Sequence, residues 1–172
     1  LSQAEHDPAA QSILITDDEA FATAVEGAIE RQLKTLSTGE DAAASWRDHG
    51  AIILAPLEAS PGLVNSLAPE HVEFSVEAPE RLADQVRHAG AIFLGRHAPE
   101  AIGDYVAGSN HVLPTSRAAR FSSGLSIYDF IKRSSIIRLD AEAFGRLAGA
   151  TEALAGAEGL PAHARSVSIR RN

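Results

Sequence analysis

The stretch Leu67-Ala-Pro-Glu-His-Val-Glu-Phe74 sets a carboxylate, Glu70, directly against an imidazole, His71, just after a proline. A free imidazole has a pKa of about 6.5 and exchanges protons near neutral pH, and a carboxylate does so once its surroundings are tuned. Neighbouring side chains project in different directions, so Glu70 and His71 are poorly placed to serve each other. Taken alone, such a dipeptide is more often structural.

Other residues could hold a metal. Gln3 and His6 stand three apart, one helical turn, so an oxygen and a nitrogen can reach one point. Solvated polar residues are the plainer alternative. Asp104 lies in Gly103-Asp-Tyr-Val-Ala-Gly-Ser-Asn-His-Val-Leu-Pro-Thr115, where a turn-forming role competes with ligation. His163 follows Pro161 near the end, a place where histidines are ordinarily exposed. His49, His88 and His97 read as surface or helix-end residues. Ser122 and Ser123 lack a Gly-x-Ser-x-Gly setting for a nucleophile. Spacing does not by itself bring any of these together.

The elements that must position them follow from periodicity. Ser12–Thr16 reads as a strand, and Thr16 with Glu19 has capping-box spacing before a helix through Phe21, Val25, Ile29 and Leu33. A helix over 41–49 closed by Gly50 leads to a buried strand over 51–55. Further expectations are a helix over 61–67, a strand over 72–76, a helix over 79–89 with proline first and Gly90 after, and a strand over 91–94. Residues 96–126 form a long loop, a length that favours function. A short strand from Ile136 and a helix over 140–155 complete the chain. Alternating strands and helices predict a mostly parallel sheet covered on both faces. Ligands then bind at the carboxyl ends of the strands. No Gly-x-Gly-x-x-Gly turn occurs.

Composition narrows the classes. The 172 residues suit one domain or one with a small appendage, and 45% hydrophobic with 22% charged residues is ordinary for a globular protein. A net charge of -8 argues against broad nucleic-acid binding, and no apolar run reaches membrane-spanning length. With zero cysteines there are no disulfides and no thiolate chemistry, and a cytoplasmic protein is expected. The chain starts at Leu1, contains no methionine, and opens on what reads as mid-helix sequence. It is expected to be part of a longer protein.

Four motifs in order carry a resemblance. Ser2-Gln-Ala-Glu-His6, Ala68-Pro-Glu-His71, Gly103-Asp104-Tyr105 with Gly108-Ser-Asn-His-Val-Leu-Pro-Thr115, and Ala157-Glu158 with His163 resemble the C-terminal part of the histidinol dehydrogenase family. The resemblance implies oxidation of L-histidinol to L-histidine through the aldehyde, with two NAD+ reduced, at the end of histidine biosynthesis. It implies zinc held by Gln3, His6, Asp104 and His163, the last given across a homodimer. His111 and Glu158 would contact substrate together with those four ligands, and Glu70 and His71 would do the acid–base work. On this reading His71 takes the alcohol proton and Glu70 activates the water that hydrates the aldehyde.

The fold implied is α/β, a three-layer αβα, incomplete Rossmann-like domain over 1–123, with a small, mainly helical, dimer-contacting domain over 124–172. The family's NAD-binding region precedes Leu1, so the 172 residues alone are expected to be inactive. A non-catalytic zinc-binding and dimerisation module of the same fold is the competing class, and a zinc hydrolase using Glu70 is a weaker third.

Overall fold

A computed structural model describes residues 1–171, in two compact units, Leu1–Phe130 and the part from Ile131 onward. The fold class is α/β.

In the first unit, β1 (Ile13–Thr16) pairs in parallel with β2 (Ala51–Leu54). Helices α1 (Glu19–Leu33) and α2 (Gly39–His49) form the connection. The start of α1 differs from expectation. Asp18, not Thr16, is the cap, accepting the Phe21 amide at 2.9 Å. A carboxylate one residue before the first turn meets the free N–H groups directly. Ala22 and Ile29 are the buried positions of α1, whereas Phe21 is half exposed. At Gly50, a side chain would drive its Cβ into the Trp46 ring and to 2.5 Å from the Trp46 carbonyl.

The second ladder positions the chemistry. After α3 (Ser60–Leu67), β3 (His71–Phe74) runs parallel to β4 (Ala91–Leu94), joined through α4 (Glu80–Ala83). The four strands thus form two separate parallel pairs. Side chains alternate along β3, as a strand requires. Val72 and Phe74 point into a core with Val64, Val76, Leu82, Ala83, Val86 and Ala89. His71 and Glu73 therefore share the opposite face. Coverage of the core face is incomplete, because Ile92 and Leu94, the register partners of Val72 and Phe74 on β4, are 38% and 40% exposed.

The helix expected over 79–89 ends at Ala83, and the cause lies elsewhere in the chain. Asn65 of α3 accepts the amides of Arg87 and His88 and donates to the Gln85 carbonyl. These backbone groups turn to Asn65, so the chain leaves the helical path after one turn. Ala68, fully buried, holds the left-handed conformation (φ 49°) that ends α3 and aims the chain at Glu70.

The long segment after β4 is not all loop. It contains α5 (Glu100–Tyr105), which places Asp104 on a helix instead of in a glycine-rich loop. Beyond it, Leu113 and Pro114 pack beside Gly90, and Arg117 and Arg120 each donate a guanidinium N–H to the Ser66 carbonyl at 2.5 Å. The loop is thereby tied to the turn that precedes His71.

In the second unit, α6 (Ala141–Ala157), capped by Asp140, packs on α7 (Pro161–Ser168). The strand expected from Ile136 is absent among the described residues, and Ile136 and Ile137 are 94% and 83% exposed. An apolar pair without a strand to bond cannot form a ladder. No helix among the described residues is long and apolar enough to cross a membrane.

Asn65→Ala should cost about 1–2 kcal/mol in urea unfolding, since three backbone groups lose their partner. Asn65→Asp, which keeps both accepted bonds, should cost less.

Candidate functional site

The site is built on the face of β3 opposite the core. His71 begins the strand, and Glu73 lies two residues on, projecting to the same side. Glu73 Oε1 accepts the backbone N–H of Glu100, which fixes the start of α5 to this strand face. Glu100 and Asp104 stand four apart in α5 and so project from one side of it. From the neighbouring strand, Phe93 sets its ring 6.0 Å from the His71 ring, tilted by 37°. Gly103 lets α5 approach this closely, because a Cβ there would fall 2.6 Å from the Phe93 ring.

These supports bring four side chains together. His71 Nε2 lies 3.8 Å from Asp104 Oδ1 and 4.0 Å from Glu100 Oε1. The ligand atoms of His6, Glu100 and Asp104 all fall within 4.8 Å of one another. His6 arrives from the first residues of the chain, where the expected helix is absent. Residues 2–6 form turns, with Glu5 N–H bonded to the Leu1 carbonyl and His6 N–H to the Gln3 carbonyl. Pro8 disfavours a helical Asp7, and Asp7 Oδ1 accepts the Ala9 amide at 2.7 Å, so the turns do not extend into a helix. They are held instead by fully buried Ala4 and by a 2.6 Å hydrogen bond from Thr38 to Glu5 Oε2.

Electrostatics mark the cluster as poised. Glu100 is only 6% exposed. Burial pushes its carboxyl above the ordinary range, the adjacent Asp104 carboxyl pushes the same way, and His71 and His6 oppose both. Within the described residues, Glu100 Oε1 and both ring nitrogens of His71 are buried without a hydrogen-bond partner. Buried polar atoms left unpaired are costly and mark places where a ligand or ion completes the bonding. One imidazole and two crowded carboxylates fit a divalent cation, and zinc accepts both donor types.

The other expected site residues fall as follows. Gln3 is half-buried in the same turn as His6, and Glu70 is half-buried immediately before β3. The Glu70 carbonyl accepts the Ala91 N–H at 2.8 Å. His111 is exposed in the loop beyond α5, where Asn110 accepts the Val112 amide in a tight turn. Glu158 and His163 are exposed in the second unit, Glu158 at the end of α6 and His163 in α7. Glu73, Phe93 and Glu100 are site residues that sequence reasoning misses. The four-residue spacing of Glu100 and Asp104 behind Pro99 is the available signal, and it becomes visible only once α5 is recognised as a helix.

Gly103→Ala should destabilise the protein by about 1–3 kcal/mol, because the added methyl must displace the Phe93 ring or α5. Chemical denaturation checks the loss, and the neighbouring exposed substitution Ile102→Ala should cost less.

A profile of the histidinol dehydrogenase family matches residues 1–171. Histidinol dehydrogenase of Caulobacter vibrioides is 76% identical over 99% of this chain, and that of Mesorhizobium japonicum 64% identical over all of it. In both cases the chain spans about 40% of the relative's length. A crystal structure of histidinol dehydrogenase from Elizabethkingia anophelis superposes with a TM-score of 0.89 at 36% identity, covering 98% of this chain and 39% of that one. With two α/β strand pairs in that arrangement and sequence agreement along its whole length, this chain belongs to the histidinol dehydrogenase family.

Proposed function

We propose that the intact protein containing this chain is a cytoplasmic, zinc-dependent homodimer that oxidises L-histidinol to L-histidine through L-histidinal, reducing two NAD+. The observation that carries this reading is the placement of His71, a proton carrier, with Nε2 facing a buried carboxylate cluster that fits a metal ion.

The proposed zinc ligands are Gln3, His6 and Asp104, with His163 given by the other subunit through the C-terminal domain, residues 124–172. When bound, zinc supplies a positive template that orients the imidazole and amino nitrogens of the substrate. His111 and Glu158 complete the substrate contacts. NAD+ accepts the hydride in each half-reaction, and the part of the protein that holds it lies outside these residues.

The two halves need different proton removals. In the first, the hydroxyl O–H bond breaks as hydride leaves the carbinol carbon, and His71 takes the proton. In the second, water must add to the aldehyde carbon before hydride can leave again, and Glu70 takes the proton from that water. Glu70 and His71 are consecutive where the chain enters a strand, so their side chains diverge. Divergence suits two bases that approach one carbon from different sides. Positioning alone supplies a large part of such a rate.

In the intact enzyme, His71→Asn should lower kcat about 10²–10⁴-fold with zinc content retained. A non-catalytic zinc and dimerisation module predicts no change. Glu70→Gln should release the first NADH of a single turnover at near-normal rate and stall before the second. Equal slowing of both phases would contradict the division of labour. Residues 1–172 alone should show no turnover with L-histidinol and NAD+.

A further inference from the structure

We infer that Glu100 is the positioning residue of His71, its carboxylate being the third group that holds the imidazole in working orientation. This role rests on the proposed function of His71 as a base and adds a residue to it.

Several observations converge on Glu100. The side chain is 8% exposed, and its Oε1, which has no hydrogen-bond partner among the described residues, lies 4.0 Å from His71 Nε2. A carboxylate is buried in this way only at a cost, so something must gain from its presence. Its backbone is anchored to the same strand as its target, because Glu73, two residues after His71, accepts the Glu100 N–H. The start of α5 is therefore tied to the strand that carries His71, and two short links connect imidazole and carboxylate. Phe93 stands beside the His71 ring, the two centroids 6.0 Å apart.

Asp104 is slightly closer to Nε2, at 3.8 Å. In the proposed reading, however, Asp104 gives its oxygen to zinc. That leaves Glu100 as the carboxylate available to the imidazole. A general base is ordinarily oriented by such a group, which fixes the ring and compensates the positive charge it acquires. Glu100 itself takes no proton from the substrate and forms no bond to it.

The test uses the intact enzyme and the variants Glu100→Gln, His71→Asn and the two combined. Glu100→Gln should lower kcat about 10–100-fold, with KM for L-histidinol and zinc per chain unchanged. In the His71→Asn background the same change should have no further effect, since a residue acting through His71 loses its role when His71 is gone. Glu100→Asp, which retains the charge on a shorter arm, should recover part of the loss and guards against misreading a folding defect.

An unchanged kcat in Glu100→Gln overturns the inference. So does loss of zinc, which would make Glu100 a ligand, or a full additional loss in the His71→Asn background, which would make it act independently. If His71→Asn alone retains full turnover, the base assignment fails first and the role of Glu100 falls with it.

Discussion

The two-residue alternation of β3 is the constraint on which the rest depends. Val72 and Phe74 enter the apolar core, which fixes the strand's rotation and leaves His71 and Glu73 no choice of face. A slip of one residue would bury a histidine and a glutamate among aliphatic side chains and expose a phenylalanine. The burial of two hydrophobic residues thus aims the imidazole. Glu73 then captures the first amide of α5, and α5 brings Glu100 and Asp104 to meet His71.

Such a cluster opposes folding. Glu100 Oε1 and both ring nitrogens of His71, buried and without a partner among the described residues, forgo hydrogen bonds they would have in water. The surrounding structure offsets this with well-made local parts. These include the Asn65 bonds that end α4 and the two arginines on the Ser66 carbonyl. Close packing of α5 on Phe93 across Gly103 adds to them. The supporting residues lie around the segment that delivers His71, as expected of a site held rigid by the groups behind it. A metal ion held by His6 and Asp104 would relieve the crowding of negative charge around the buried Glu100.

Much of this architecture is legible in the order of the residues. The apolar runs at 12–16, 51–55 and 91–94 become strands because each is short, mostly apolar and bounded by polar, glycine or proline residues. The motifs around Gln3, His71, Asn110 and His163 point to one family. What stays hidden does so for physical reasons. The helix beginning at Pro79 is stopped by Asn65, far back in the chain on α3, and no periodicity within 79–89 encodes that. Helix α5 has six residues and no apolar stripe, so it sits below the length at which a pattern is visible. Without α5 in view, nothing pairs Glu100 with Asp104. Gln3 and His6 have helical spacing, yet a three-residue separation is satisfied equally by a turn.

On the proposed function, the metal-competent cluster beside His71 holds zinc in the intact protein. The most direct measurement is zinc per chain by elemental analysis of the intact protein, together with its Asp104→Asn variant. The expected result is about one zinc per chain in the parent, as four donors would hold a single ion, and a large loss in the variant. A parent without zinc, or a variant that retains it fully, would contradict the claim. The cluster would then be a buried ionic network with no metal to organise it.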